Sequence, residues 1–104
     1  MPFRVEITRR AEADALEAAD YIAQDSRVAA ARWFAELYAA IESLGEMPER
    51  HAVIPELGLR HEYRSLHHYS HRVVYRVDHD QEAVYVVRIY HGARRALAER
   101  DVRE

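Results

Sequence analysis

Apolar and polar positions alternate at the start of this chain, and the alternation sets the first element. In "PFRVEI", Phe3, Val5 and Ile7 are separated by Arg4 and Glu6, the period of a half-buried strand. Thr8 then suits a helix N-cap. The period changes to that of a helix in "RRAEADALEAADYIAQD", where Ala11, Ala15, Ala18 and Ile22 share one face with Leu16 and Ala19 beside them. Small alanines on that face allow a neighbouring element to approach closely. A second helix, "RVAAARWFAELYAAIESLG", follows a capping Asp25 or Ser26. It carries one row of Trp33, Leu37, Ala40 and Leu44 and a second of Phe34, Tyr38 and Ile41. Gly45 suits a left-handed C-cap and Pro48 blocks continuation. The short link between the two helices predicts an antiparallel hairpin.

Residues 46–61 have no clear period and predict a surface loop, pinned to the core by Ala52, Val53 and Ile54. Strands resume at "EYRSLHH", "HRVVYRV" and "AVYVVRIYH", the last two joined by the polar turn "DHDQE". Gly92 ends the last strand with a sharp turn, and "ARRALAERDVRE" predicts a short C-terminal helix. The order strand, helical hairpin, three strands, helix implies an α+β fold: a helical hairpin on one face of a mainly antiparallel sheet of about four strands. At 104 residues, with no repeat or linker, residues 1–104 are expected to form a single domain.

Side-chain alternation extends the prediction to faces. Val73, Tyr75 and Val77 share a face of one strand; Ala83, Tyr85, Val87 and Ile89 share a face of the next. Both sets are apolar and are expected to meet the helices, which pairs Tyr75 with Tyr85 and Val73 with Val87. Arg72 then falls opposite Arg88, with Arg76 and Tyr90 on the same outer face. Like charges facing each other cost about a few tenths to 1 kcal/mol. An acidic visitor or a nearby carboxylate is expected to offset that cost.

Charge sharpens this picture. All 15 basic residues are arginine, and the net charge is −3. The first 59 residues hold six arginines against eleven acids, a balance of −5; the remainder hold nine against seven, a balance of +2. The overall sign argues against broad nucleic-acid binding, while the second half retains a possible cationic patch. "RIYHGARR" concentrates that patch: Arg88, His91, Arg94 and Arg95 cluster around Gly92. His91 ends a strand beside arginines and is a candidate base. His61, His67, His68 and His71 lie near one turn, but their spacing matches no closed metal site, and no cysteine is present. No phosphate loop, nucleophile elbow or paired-histidine protease motif occurs. No metal or other cofactor is expected. Neither a signal-peptide core nor a membrane-length apolar run is evident, so a soluble, cytoplasmic protein is expected.

Taken in order, "VEITRRAEADALEAADYIA", "WFAELYAAIESLGEMPE", "LGLRHEYRSL", "HRVVYRVD" and "VYVVRIYHGARR" resemble the ParE/RelE superfamily of bacterial toxins from type II toxin–antitoxin modules. The resemblance spans about residues 3–95. Its most specific pieces are Arg64, the strand from Arg72 to Arg76, and the ending from His91 to Arg94. It implies a small α+β toxin of a plasmid-stabilisation type system. A cognate, ParD-like antitoxin would wrap over it, partly in the groove between helices and sheet, in a hetero-oligomer such as a heterotetramer. Arg64, Arg72, Arg76, Arg88, His91, Arg94 and Arg95 are the candidate target- or antitoxin-binding residues. ParE-like members inhibit DNA gyrase by contact, and the ending "RIYHGARR", the lack of lysine and the acidic central loop fit that branch. The alternative is a RelE-like, ribosome-dependent mRNA interferase. In that reading Arg72 is the catalytic arginine, Tyr90 and His91 lie near acid or base positions, and Glu46 or Glu49 is a further candidate acid. A plain partner-binding module without toxicity is a third reading.

Overall fold

The computed structural model describes residues 2–58, 60–92 and 97–103. Strand β1, Arg4–Ile7, follows the predicted alternation. Helix α1, Arg9–Ala23, begins at Thr8, whose hydroxyl accepts from the Ala11 N–H at 3.2 Å. Helix α2, Arg27–Glu42, begins at Ser26, which accepts from the Ala29 N–H at 3.1 Å. Each cap satisfies an amide that the first helical turn leaves without a partner. The loop contributes β2, Ala52–Val53, and the predicted strands appear as β3, Tyr63–His68, β4, His71–Asp78, and β5, Ala83–His91.

The strands form one sheet in the order β1-β5-β4-β3-β2, with five strands rather than about four. β1 runs parallel to β5, and the remaining pairs are antiparallel. The helical hairpin lies on one face. Ala11 and Ala15 of α1 and Trp33, Leu37 and Ile41 of α2 pack on Leu66, Val73, Tyr75, Val84, Val86 and Ile89 of the sheet. Because Ala11 and Ala15 have lost all exposure, α1 approaches the sheet as closely as its small side chains allow.

The predicted register of the last hairpin is corrected. Val73 pairs with Ile89 and Val74 with Arg88, but Tyr75 pairs with Val86, so Val87 is an extra residue on β5. A β-bulge of this kind shifts one stretch of a strand against its partner. The helix-facing residues of β5 are therefore Val84, Val86 and Ile89, while Tyr85 and Val87 belong to the opposite side. Arg72 lies across from Tyr90, not Arg88, and the expected like-charge pair does not form.

The opposite face is also not an open surface. Ile54, Leu57, Tyr63, Val74, Val87, Tyr90, Leu97 and Val102 form a second core there. Ile54 pins the central loop as expected, whereas Ala52 and Val53 are exposed. Of the predicted C-terminal helix, residues 93–96 and 104 lie outside the described residues. The rest contains a single 3-10 turn, Glu99–Asp101, closed by the Ala98 N–H donating to the Asp101 carboxylate at 2.8 Å.

Glycine placement differs from expectation. Gly45 has no left-handed conformation; a Cβ there would meet the Phe3 carbonyl oxygen at 2.9 Å. Gly92 likewise serves close approach, its N–H donating to the Ser70 carbonyl at 2.6 Å. Met47 takes the left-handed turn instead, with φ 47° and ψ 58°.

Candidate interaction surfaces

β1 stops opposite Val86, while β5 continues to His91. The exposed edge that results is met by α1. The Thr8 N–H donates to the Val86 carbonyl at 3.0 Å and its hydroxyl donates to the Val87 carbonyl at 3.2 Å. Six residues further on, the Asp14 carboxylate accepts from the Ile89 N–H at 2.9 Å. The same carboxylate holds Arg88, through Nε at 2.7 Å and the Nη2 amine at 3.1 Å. Both partners are largely shielded from water, and the pairing pushes the Arg88 guanidinium above its ordinary value. A further Arg88 amine donates to the Asp101 carbonyl at 2.9 Å, and the guanidinium carbon lies 4.6 Å from the Tyr90 ring centre. Arg88 is thus a structural arginine whose charge its own chain neutralises. This corrects its expected place on an unsatisfied cationic surface.

Arg64 has a similar fate. Its guanidinium donates to the Glu49 and His51 carbonyls at 3.0 and 2.7 Å and to the Glu62 carboxylate at 2.9 Å. It fastens the central loop to β3. Arg76 rests against the Tyr85 ring, 4.5 Å from its centre. Arg72 differs from all of these. Its Nε is buried and has no acceptor among the described residues, although it sits between His67 on β3 and Tyr90 on β5. Arg94 and Arg95 lie outside the described residues.

The other end of β5 gathers histidines. His68 pairs across strands with His71, and His71 with His91. The His71 ring stands 5.0 Å from Trp33 and 5.2 Å from His91, and His68 Nε2 lies 3.2 Å from the Trp33 carbonyl oxygen. Burial, then the neighbouring His91 and His68, holds His71 below the usual imidazole range. Its buried Nδ1 has no partner among the described residues. The His71 and His91 rings border a groove of about 380 Å³ between α1 and β5, lined also by Asp14, Glu17 and Tyr21. No three metal-binding side chains converge among the described residues.

The geometry separates the residues proposed for catalysis. Arg72 alternates with Val73, so its side chain leaves the sheet on the side of Val74 and Tyr90. His91 and His71 share the helix side, where His71 meets Trp33. Tyr90 is buried in the second core and its hydroxyl donates to the Asp101 carbonyl at 3.4 Å. Glu46 and Glu49 stand near His79, just past β4 and at the opposite end of the sheet from His91. The candidates therefore do not converge on one reacting centre.

Residues 5–96 match the family described as the ParE toxin of the type II toxin–antitoxin system parDE. The chain belongs to the ParE toxin family. This ParE-type toxin matches no curated protein sequence. Solved structures share its fold. A chain of the chromosomal ParDE toxin–antitoxin system from P. aeruginosa is 18% identical, with a TM-score of 0.68 over 86% of this toxin and 95% of that chain. A chain of the toxin–antitoxin complex RelBE2 from Mycobacterium tuberculosis is 24% identical, with a TM-score of 0.55 over 88% and 99%. One from the archaeal RelE–RelB complex of Pyrococcus horikoshii OT3 is 19% identical, with a TM-score of 0.52 over 91% and 100%. Among the described residues, no helix of the toxin is long and apolar enough to cross a membrane.

Asp14 and Met47 were not singled out in the sequence, and His71 stood there only as one of four histidines near a turn. Asp14 is one of several acids on a helix, and only the early end of β1 gives it a strand edge to cap. His71 belongs to a visible cluster, but its central position depends on the register of three strands.

Proposed function

We propose that this ParE-type toxin arrests growth by binding DNA gyrase in the cytoplasm and that a ParD-like antitoxin neutralises it within a hetero-oligomer. The observation that carries binding over catalysis is the separation of Arg72 and His91 onto opposite faces of the sheet. Cleavage of a phosphodiester needs a base, an acid and an anion-stabilising group around one phosphate. Here those groups have no common centre. A recognition surface needs no such convergence, only shape and charge matched to a partner.

The antitoxin reading rests on the groove between α1 and β5. It is bounded by α1 and β5 and holds Tyr21 exposed at its rim. An acidic segment that leaves the groove and crosses the end of β5 to the opposite face can pair with the Arg72 guanidinium there.

The deciding experiment combines purified toxin with gyrase holoenzyme and relaxed DNA, and in parallel with ribosome-bound message. Loss of supercoiling with intact message is the expected result. Normal supercoiling at large molar excess removes the gyrase target. One observation favours the RelE-like alternative, the unsatisfied Arg72 Nε. If Arg72 and His91 act on message, cuts appear at defined codon positions and disappear in Arg72→Ala. A chain that binds antitoxin without arresting growth is a binding module only.

A further inference from the structure

The end of the sheet away from the histidines carries a second surface, built around Met47. This methionine is 76% exposed and adopts φ 47°, a backbone conformation that side-chain-bearing residues rarely take. The strained turn is held from several directions. The buried Tyr75 hydroxyl donates to the Pro48 carbonyl. Arg50 donates to the Glu46 carbonyl and, at 3.1 Å, to the Ser43 hydroxyl. The Phe3 N–H donates to the Gly45 carbonyl at 2.8 Å. Strain that the surroundings enforce so thoroughly points to a role for the side chain it displays.

Met47 stands at the rim of a groove of about 640 Å³, with Phe3, Pro48 and His79 among its walls. Acids outnumber cations around it, although Glu49 lies 3.8 Å from the Arg64 guanidinium and 3.4 Å from His79 Nε2. Glu46 and Glu49 line the groove, and Asp78 at the end of β4 and Asp80 and Glu82 in the following turn flank His79. Arg50 lines the groove as well, but its guanidinium is held by the loop's own acceptors. A flexible, polarizable thioether on a rigid loop makes an adaptable apolar anchor. The acidic rim selects the sign of whatever receives it.

We infer that this acidic pole, anchored by Met47, grips a basic segment of the toxin's protein target that offers an apolar pocket. The inference rests on the reading that the toxin acts by binding a protein. It places the target on a different surface from the groove assigned to an acidic antitoxin, whose charge this pole repels.

The test uses the full chain, gyrase holoenzyme as probe, and the variants Met47→Gly and Glu46→Arg. Glycine adopts the left-handed turn without strain, so the thermal midpoint of Met47→Gly is expected to equal or exceed that of the parent. Both variants are expected to bind gyrase at least tenfold more weakly, with binding of the co-expressed antitoxin unchanged. If the parent binds gyrase and both variants match it, the pole is not the contact and the gyrase reading survives. If the parent does not bind gyrase yet arrests growth, the gyrase reading fails. Growth arrest by the variants then decides: its loss supports the pole, its persistence overturns it. Loss of antitoxin binding or of self-association in the variants, in place of target binding, assigns the surface to those occupants and overturns the inference. A parent chain that neither binds gyrase nor arrests growth overturns both.

Discussion

Asp14 does three jobs with one carboxylate: it pairs with Arg88, accepts the Ile89 N–H and anchors α1 to the strand edge left open by β1. Removing it strands a partly buried guanidinium and an edge amide together. Loss of one partner of a shielded pair costs several kcal/mol when burial is complete, and less when water can enter. Asp14→Ala is therefore expected to lower unfolding stability by about 2–3 kcal/mol, measured by urea titration. Asp14→Asn retains an acceptor and should lose less. Equal stability of Asp14→Ala and parent would show that the pair contributes nothing. His71 makes a different prediction. Its folded-state affinity for a proton is lowered, so the unfolded chain binds more protons as pH falls below the ordinary imidazole value of about 6.5. The His71 contribution is fully present above that value and is lost as pH falls toward and through the lower folded value. Urea midpoints at pH 7.5 and 5.5 should show this decline, and His71→Gln should flatten it. An unchanged slope would show that His71 does not carry the effect.

At the scale of elements, Thr8 joins β1, α1 and β5. It caps the helix and bonds the carbonyls of Val86 and of Val87, the extra residue of the bulge. Thr8→Ala is expected to cost about 1–2 kcal/mol, with faster hydrogen exchange in the first turn of α1 than in α2. Uniform exchange across both helices would contradict that local role. Both helices were legible because their apolar period is 3.6 and their caps are ordinary. β1 was legible through its alternation. β5 misled because "AVYVV" is apolar on every position, the signature of a strand covered on both faces. Reading it as alternating forced one register throughout and hid the bulge. Ile54 and Leu57, in the aperiodic loop, supply much of the second cover, which no local pattern announces. The fate of Arg64 and Arg88 was illegible for the same reason. Their acceptors are loop carbonyls and a helix carboxylate, and for Arg88 the carboxylate is 74 residues away. Met47 was illegible because Gly45, two residues earlier, is the usual choice for a left-handed turn and here is required for close approach instead.

Across the whole molecule, the arginines divide by employment. Arg64 and Arg88 hold the fold together, and their removal should report as stability. Arg72 is the contrasting case, a half-buried cation with an unsatisfied Nε on the face opposite the groove proposed for the antitoxin. An unsatisfied buried donor costs the free chain rather than stabilising it. Deleting it also removes some packing by its aliphatic stem. The two effects oppose each other, so Arg72→Ala should leave unfolding stability within about 0.5 kcal/mol of the parent. Affinity behaves differently, because an acidic segment gains a charge-assisted bond only where Arg72 is present. A loss of about 1.4 kcal/mol, or tenfold in Kd, is expected for the co-expressed antitoxin. Urea titration of the free toxin and calorimetric titration of the pair measure the two quantities on the same protein. A variant that is clearly less stable but binds antitoxin normally would make Arg72 another structural arginine. A variant that keeps both stability and affinity would move the antitoxin off this face, and leave Arg72 without an assigned partner.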